Sequence, residues 1–136
     1  MPKKVATFLL YWMPVIAYGG FIFYLSSRPA PEFLPSFNAS DKLYHTAAYV
    51  VMCMLWRWAF QPYRSFNYHG KAWAWAIGLT ILYGISDEIH QSFIPSREAD
   101  VLDVLSDALG AFLAPLPYYF LKEKIFLFLK PSPQKQ

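Results

Sequence analysis

Asp41, Lys42 and His45 stand close together in the chain, as do Asp87, Glu88, His90 and Gln91, and then Arg97, Asp100, Asp103 and Asp107. These residue types support several kinds of chemistry. Carboxylates held near one another push their pKa values apart, so one keeps a proton while another accepts one. His45 can act as a general base or a proton relay. Asp87 and His90 are spaced i, i+3, as are Asp100 and Asp103, and such a spacing lets a helix offer two ligands to a divalent metal. These four residues do not make a complete ligand set of known spacing. Arg97 and Lys42 can hold a phosphate or carboxylate through charge-assisted hydrogen bonds. The chain has no Gly-rich phosphate loop, nucleophile elbow or zinc-protease helix motif.

These groups lie at the ends of long apolar stretches. The chain has 136 residues, 56% of them hydrophobic, 20% aromatic and only 15% charged. Soluble domains carry about 25% charged residues. Mean hydropathy is +0.24, a modest value because the scale penalises the five Trp and ten Tyr. Those two residue types favour the membrane–water boundary. The net charge of +3 is spread over loops, with no basic stripe, so nucleic acid is not an expected partner. Cys53 is the only cysteine, which excludes an intrachain disulfide and leaves it as a small apolar residue.

The composition and pattern predict an all-α membrane protein, a bundle of four transmembrane helices. The first apolar run is Val5 to Leu25, long enough to span a bilayer, which takes roughly 20 residues. Pro14 should kink it, and Gly19-Gly20 would let another helix approach closely. Its core is too long for a signal peptide, so it reads as an uncleaved membrane helix. Ser26 to Ser40 is a connector with three prolines. A second helix runs from Ser40 or Asp41 to about Phe60, and a third from about Lys71 to Ser92. Ile94-Pro95-Ser96 is a tight connection. A fourth helix runs from about Glu98 or Ala99 to Leu121, bent by Pro115 and Pro117. Residues 1–121 form one domain, and 122–136 a polar cytoplasmic tail.

One side of this arrangement collects Lys3, Lys4, Arg57, Arg64, Lys71 and the four lysines after Leu121. The other has Arg28, Lys42 and Arg97. The excess of Lys and Arg marks the cytoplasmic side, so both termini are expected there and the polar groups on the opposite, extracytoplasmic side. The expected location is a membrane, crossed several times. Helical spacing aligns the groups further. Asp100, Asp103, Asp107, Gly110 and Ala114 share one face, as do Ile77, Thr80, Gly84, Asp87 and Gln91, and Asp41, His45, Ala48 and Met52. Three inward seams would end at one surface as a cup of carboxylates, imidazole and amide, with Arg97 at its rim.

Simpler roles compete for several members. Asp41 and Asp100 could cap helix N-termini. Lys42 could be a snorkelling surface charge. Arg97 could be a clasp between helices, paired with Glu88, Asp100 or Asp103; the mixed expectation is one carboxylate orienting the guanidinium while other donors face the cavity. Asp87, Glu88, Asp103 and Asp107 are harder to explain away. Carboxylates within apolar segments need partners or protons.

The stretches DKLYHTAAY and YGISDEIHQSFIPSREADVLDVLSDALGAFL resemble the VanZ-like family of small bacterial membrane proteins. The matching positions are Asp41-Lys42-x-x-His45 with Tyr49, Asp87-Glu88-x-x-Gln91, Pro95-x-Arg97, Asp103 and Gly110. SSRPAPE after the first helix also fits. Ser96 stands where the family commonly has Gly, and Asp107 where it commonly has Asn. The Asn implies a hydrogen-bonding position at 107 rather than an obligatory ligand or acid. The resemblance implies a link to resistance against the glycopeptide teicoplanin, without supplying a reaction. The ligand-binding set expected is Lys42, His45, Tyr49, Asp87, Glu88, Gln91, Arg97, Asp103 and Asp107. Three roles remain open: binding a cell-envelope component, lipid headgroup or glycopeptide; acid–base or metal-assisted catalysis on a lipid-linked envelope substrate, with His45, Asp87 and Glu88 catalytic; or small-scale proton-coupled transport. Metal content and oligomeric state are open as well.

Overall fold

The computed structural model describes residues 3–29, 40–63, 69–95, 97 and 99–129, and every element among them is helical. Side chains are not described for every residue of these helices; that of His69 is one left out. The elements are α1 (Lys3–Thr7), a π-helical turn (Phe8–Trp12), α2 (Met13–Ser26), α3 (Ser40–Ala59), α4 (His69–Gln91), α5 (Val101–Leu113) and α6 (Pro115–Leu129). The first three run on as one helix, and α5 and α6 as another, so the described residues make four helical segments. Two of them, Lys4–Ser26 and Val101–Lys124, are long and apolar enough to cross a membrane. Most of the connector expected between Ser26 and Ser40, with Glu32 in it, lies outside the described residues, as do Arg64, Ser96 and Glu98.

The expected kink at Pro14 takes a particular form. Proline has no N–H for the carbonyl four residues earlier, and its ring crowds that carbonyl. The helix widens into the π turn just upstream, with Met13 N–H bonding Phe8 O. The carbonyl of Leu10, which Pro14 cannot serve, accepts instead from the Trp58 indole at 3.1 Å. Of the glycine pair, only Gly19 makes a close approach: the Tyr83 hydroxyl donates to its carbonyl at 2.6 Å, and the ring edge lies where a Cβ would be touched.

The fourth segment begins later than expected, at Val101. Asp100 stays extended (φ −125°, ψ 122°) and its Oδ1 accepts the Leu102 N–H at 2.8 Å. This is an N-cap, the simpler of the two roles weighed for Asp100. Asp103 in the first turn adds a favourable charge at the positive end of the helix dipole. The prolines interrupt the segment at Ala114, and Pro115 starts α6, where a missing N–H is tolerated. The Tyr118 N–H still reaches Ala114 O at 3.2 Å, so helix continues through the break. It runs to Leu129, eight residues past the expected end at Leu121.

α3, α4 and α5 pack on one another, and α2 leans on α3 and α4. α3 and α5 run parallel. Thr46 Oγ1 donates to Ser106 O at 3.1 Å, and Gly110 sits against the backbone of Thr46 and Val50. The most deeply buried side chains combine small or polar ones, Thr80, Ala76, Ala111, Ala114, Cys53 and Asp107, with Tyr49 and Met52. Large apolar side chains point outward, among them Phe93, Val101, Leu116, Leu82, Phe112 and Phe120.

A methyl group at Gly110 would run into the Thr46 carbonyl oxygen, a backbone atom that cannot swing aside. Gly110→Ala is therefore expected to cost about 1–3 kcal/mol, read as a lowered Tm of the purified protein in detergent. Gly20→Ala, which would meet nothing within 4 Å, should leave Tm unchanged or slightly raised. Equal melting of the two variants would mean that the α3–α5 approach is not sterically set.

Candidate functional site

The polar residues gather where the C-terminal ends of α2 and α4 meet the N-terminal ends of α3 and α5. Each helix brings them there by its repeat. On α5 the buried face carries Asp103, Asp107, Gly110, Ala111 and Ala114. On α4 it carries Thr80, Gly84, Asp87, Glu88 and Gln91. On α3, Tyr49, Met52 and Cys53 are buried and His45 is half-buried, whereas Asp41 points outward with a side chain 62% exposed.

Lys42 brackets α3 to α5. Its ammonium lies 2.5 Å from Asp103 Oδ1, 2.6 Å from Asp100 Oδ2 and 3.2 Å from Asp41 Oδ2. An ammonium has three donors, and three carboxylates take them. Lys42, expected among the ligand-binding residues, thus has its donors on carboxylates of the protein itself. Beside this ammonium, and bonded to the Leu102 amide, the Asp100 carboxyl is held below the usual carboxylate range.

His45 and Asp107 form a hydrogen-bonded pair, Nδ1 to Oδ1 at 3.0 Å, with Asp107 fully buried. The other ring nitrogen lies 3.7 Å from Asp103 Oδ2. Tyr49 follows His45 by one turn, its ring nearly parallel to the imidazole. Glu88 reaches across from α4, where its Oε2 accepts the Asp100 N–H at 2.9 Å and its Oε1 accepts a longer bond from Gln91 at 3.3 Å. Asp87 Oδ2 accepts from Ser26 Oγ at 2.7 Å and Gln91 Nε2 at 3.0 Å.

A cavity of about 190 Å³ opens between α2, α3 and α4. Its polar lining comes from Ser26, Asp41, Tyr44, His45, Tyr49, Asp87, Gln91 and Arg97, and its apolar wall from Ile22, Leu25 and Ala48. Two buried atoms of its lining residues, the Tyr49 hydroxyl and Asp87 Oδ1, have no hydrogen-bond partner among the described residues. Such atoms cost about 1–3 kcal/mol each unless something binds them.

Arg97 is a clasp, but of a different kind from the one expected. Its Nε donates to Arg28 O at 2.8 Å and its Nη2 to Leu25 O at 3.2 Å. These carbonyls belong to the C-terminal end of α2 and the turn after it, where the negative end of the dipole attracts a cation; Leu25 O takes the Arg28 N–H at 3.1 Å as well. No carboxylate among the described residues orients the guanidinium, and the side chain lines the cavity. His90 turns away from the cup: it bonds the Ser27 hydroxyl at 2.9 Å and stacks on Phe23. Thus Asp87, His90, Asp100 and Asp103, the metal candidates from spacing, do not converge. Ligand atoms of His45, Glu88 and Asp107 do, all within 4.8 Å of one another. Sequence reasoning also missed the first helix's share. Ser26 ends α2 and was read as the start of a connector, although the SSRPAPE pattern marked it.

Arg97→Lys keeps the charge but replaces the planar fork with a shorter, more strongly hydrated ammonium, so the two carbonyls are held less well. The expected loss is about 1–2 kcal/mol of stability, measured as a lowered Tm in detergent. An unchanged Tm would mean that the guanidinium does not tie α2 to the α4–α5 turn.

The sequence model of the VanZ/LLP1 family matches residues 7–122. No curated protein and no solved structure matches the chain. The family match spans all four helical segments and the whole cup, and on that ground the chain belongs to the VanZ/LLP1 family.

Proposed function

We propose that this chain crosses the bacterial inner membrane four times with both termini in the cytoplasm, and that its cavity takes the polar part of a lipid-linked envelope component from the extracytoplasmic side. The arrangement of side chains supports the membrane reading. Many large apolar residues face out, among them Phe93, Leu116, Leu82 and Phe120, while buried carboxylates sit inside, which suits a hydrocarbon surrounding. The second and third segments have 20 and 23 residues, enough to span. Lys3, Lys4, Arg57, Lys71, Lys122 and Lys124 gather at the end opposite the cup.

The observation that carries the binding reading is the cavity wall itself: an apolar side from α2 facing a polar side with two unpartnered buried atoms, Tyr49 Oη and Asp87 Oδ1. One apolar and one polar wall fit a molecule with a polar head and a hydrocarbon body. Size favours a headgroup over a whole glycopeptide inside this cavity. Drug-sized ligands need about 300–1,000 Å³, a glycopeptide is larger still, and this cavity has about 190 Å³. Any effect on glycopeptide resistance would then run through the envelope component.

The His45–Asp107 pair favours a second reading, acid–base catalysis on the same headgroup. A buried carboxylate on Nδ1 fixes the tautomer and leaves Nε2 to take a proton.

Copurification of envelope lipids, followed by mass spectrometry, tests the first reading. Asp87→Asn and Tyr49→Phe should each weaken retention by about 5- to 100-fold. Retention unchanged in both variants would exclude this cavity as the site. Loss of a turnover in His45→Asn with lipid still bound would favour catalysis. Topology is checked separately. Reporters fused after Leu121 or within residues 61–70 should read as cytoplasmic, and those within 26–40 as exterior. An exterior C-terminus would invert the placement of the cup.

A further inference from the structure

We propose that His45, Glu88 and Asp107 hold a divalent metal ion, of the Zn2+ or Mn2+ kind, beside the cavity. The inference does not depend on what fills the cavity. The three residues come from three helices, and their ligand atoms lie within 4.8 Å of one another. A tetrahedral metal with bonds of about 2.0–2.2 Å sets its donors roughly 3.4 Å apart. Closure therefore draws the three donor atoms inward by up to about 1.5 Å, a distance side-chain torsions can cover. One imidazole and two carboxylates are a donor set for Zn2+ or Mn2+, whereas Ca2+ wants more oxygens.

Charge is the first independent support. Lys42 is committed to Asp100, Asp103 and Asp41. Asp87, Glu88 and Asp107 remain, each at least 95% buried, against His45, which faces them, and Arg97, which shares the cavity lining with Asp87 and bonds backbone carbonyls: three acidic groups to at most two cations. Buried anions without compensating charge are costly, and a doubly charged ion supplies what the protein lacks. The second support is Asp107 itself. It is fully buried, its Oδ1 accepts from His45, and its Oδ2 has no partner. That oxygen rests over Gly84, where a Cβ would come within 2.7 Å of it and 3.2 Å of the Tyr49 ring. Glycine at 84 leaves room for the carboxylate in this position, and the Tyr49 hydroxyl nearby also lacks a partner.

The full-length protein, purified in detergent and stripped with chelator, is titrated with MnCl2 and separately with ZnCl2. About one ion per chain should bind, and Tm should rise with the ion that binds. Bound Mn2+ should show a nitrogen coupling in its paramagnetic resonance, absent in His45→Asn. Asp107→Asn keeps an oxygen but loses the charge, and like Glu88→Gln it should weaken binding by about 10- to 100-fold or more. Glu123→Gln, on the exposed far part of α6, should bind as the unaltered chain does. The unaltered protein is read first, so a variant that fails to fold does not decide the matter. Binding of neither ion with no rise in Tm overturns the proposal, because the carboxylates would then be held by protons. Binding without a nitrogen coupling, or undiminished in Asp107→Asn and Glu88→Gln together, also overturns it and places the ion on other carboxylates.

Discussion

The close approach of α3 and α5 at Gly110 is the constraint on which the rest depends. A glycine against the backbone of Thr46 and Val50 lets two parallel helices come nearer than side chains would permit. Everything one or two turns toward the N-termini follows from that register. Thr46 meets the Ser106 carbonyl, His45 meets Asp107, and Lys42 meets Asp100 and Asp103. A small-residue contact in the apolar part of the bundle thus positions a charged cluster at its end. In hydrocarbon there is no hydrophobic gain from bringing helices together, so close packing and interhelical hydrogen bonds have to do it.

Charge is then distributed unevenly within the cup. Lys42 collects the carboxylates nearest the surface, and its short contacts leave that ammonium no capacity for a ligand. Arg97 is tied to backbone carbonyls, which are neutral, so its positive charge is not cancelled by a carboxylate among the described residues. The two cations look equivalent as residue types. Their partners make one a structural bracket and the other a source of positive potential on the cavity wall. Asp87, Glu88 and Asp107 lie deeper and face His45, Gln91 and Ser26, which offer hydrogen bonds but at most one charge.

Much of this was legible in the residues. The alignment of Asp103, Asp107, Gly110 and Ala114, and of Thr80, Gly84, Asp87 and Gln91, follows from the helical repeat, because burial of one face imposes a period of 3.6 on the residues that pack. The partners on other helices were less accessible. Spacing within one helix suggested Asp87 with His90 as a metal pair, yet His90 turns to Ser27 and Phe23 on α2. Likewise Asp41 fits the α3 seam by periodicity but lies at the helix start, where it borders the cavity with a side chain that stays exposed. Arg97 was expected to choose among carboxylates because they are visible as letters. The carbonyls it binds exist at every position, and at the end of α2 they lack the usual helical donor four residues on.

The same rule about freed carbonyls operates at the other end of the molecule, and it explains why proline is tolerated in the first helix. Pro14 leaves the Leu10 carbonyl without its helical donor, a serious defect in a setting with no water. The π turn moves that carbonyl outward to the Trp58 indole, so the first segment is fastened to α3 by a side-chain donor at this level. At the cup, Arg97 fastens its last carbonyls to the turn after α4. Between the two fastenings, Tyr83 bonds the Gly19 carbonyl from α4. The first helix is therefore fastened through its own backbone acceptors as well as its side chains: Ser26 bonds Asp87, Ser27 bonds His90, and Val15 and Ile22 pack in one cluster with Tyr49, Met52 and Ala59. Fastened in this way along its length, it brings Ile22 and Leu25 to the cavity as fixed parts of its wall.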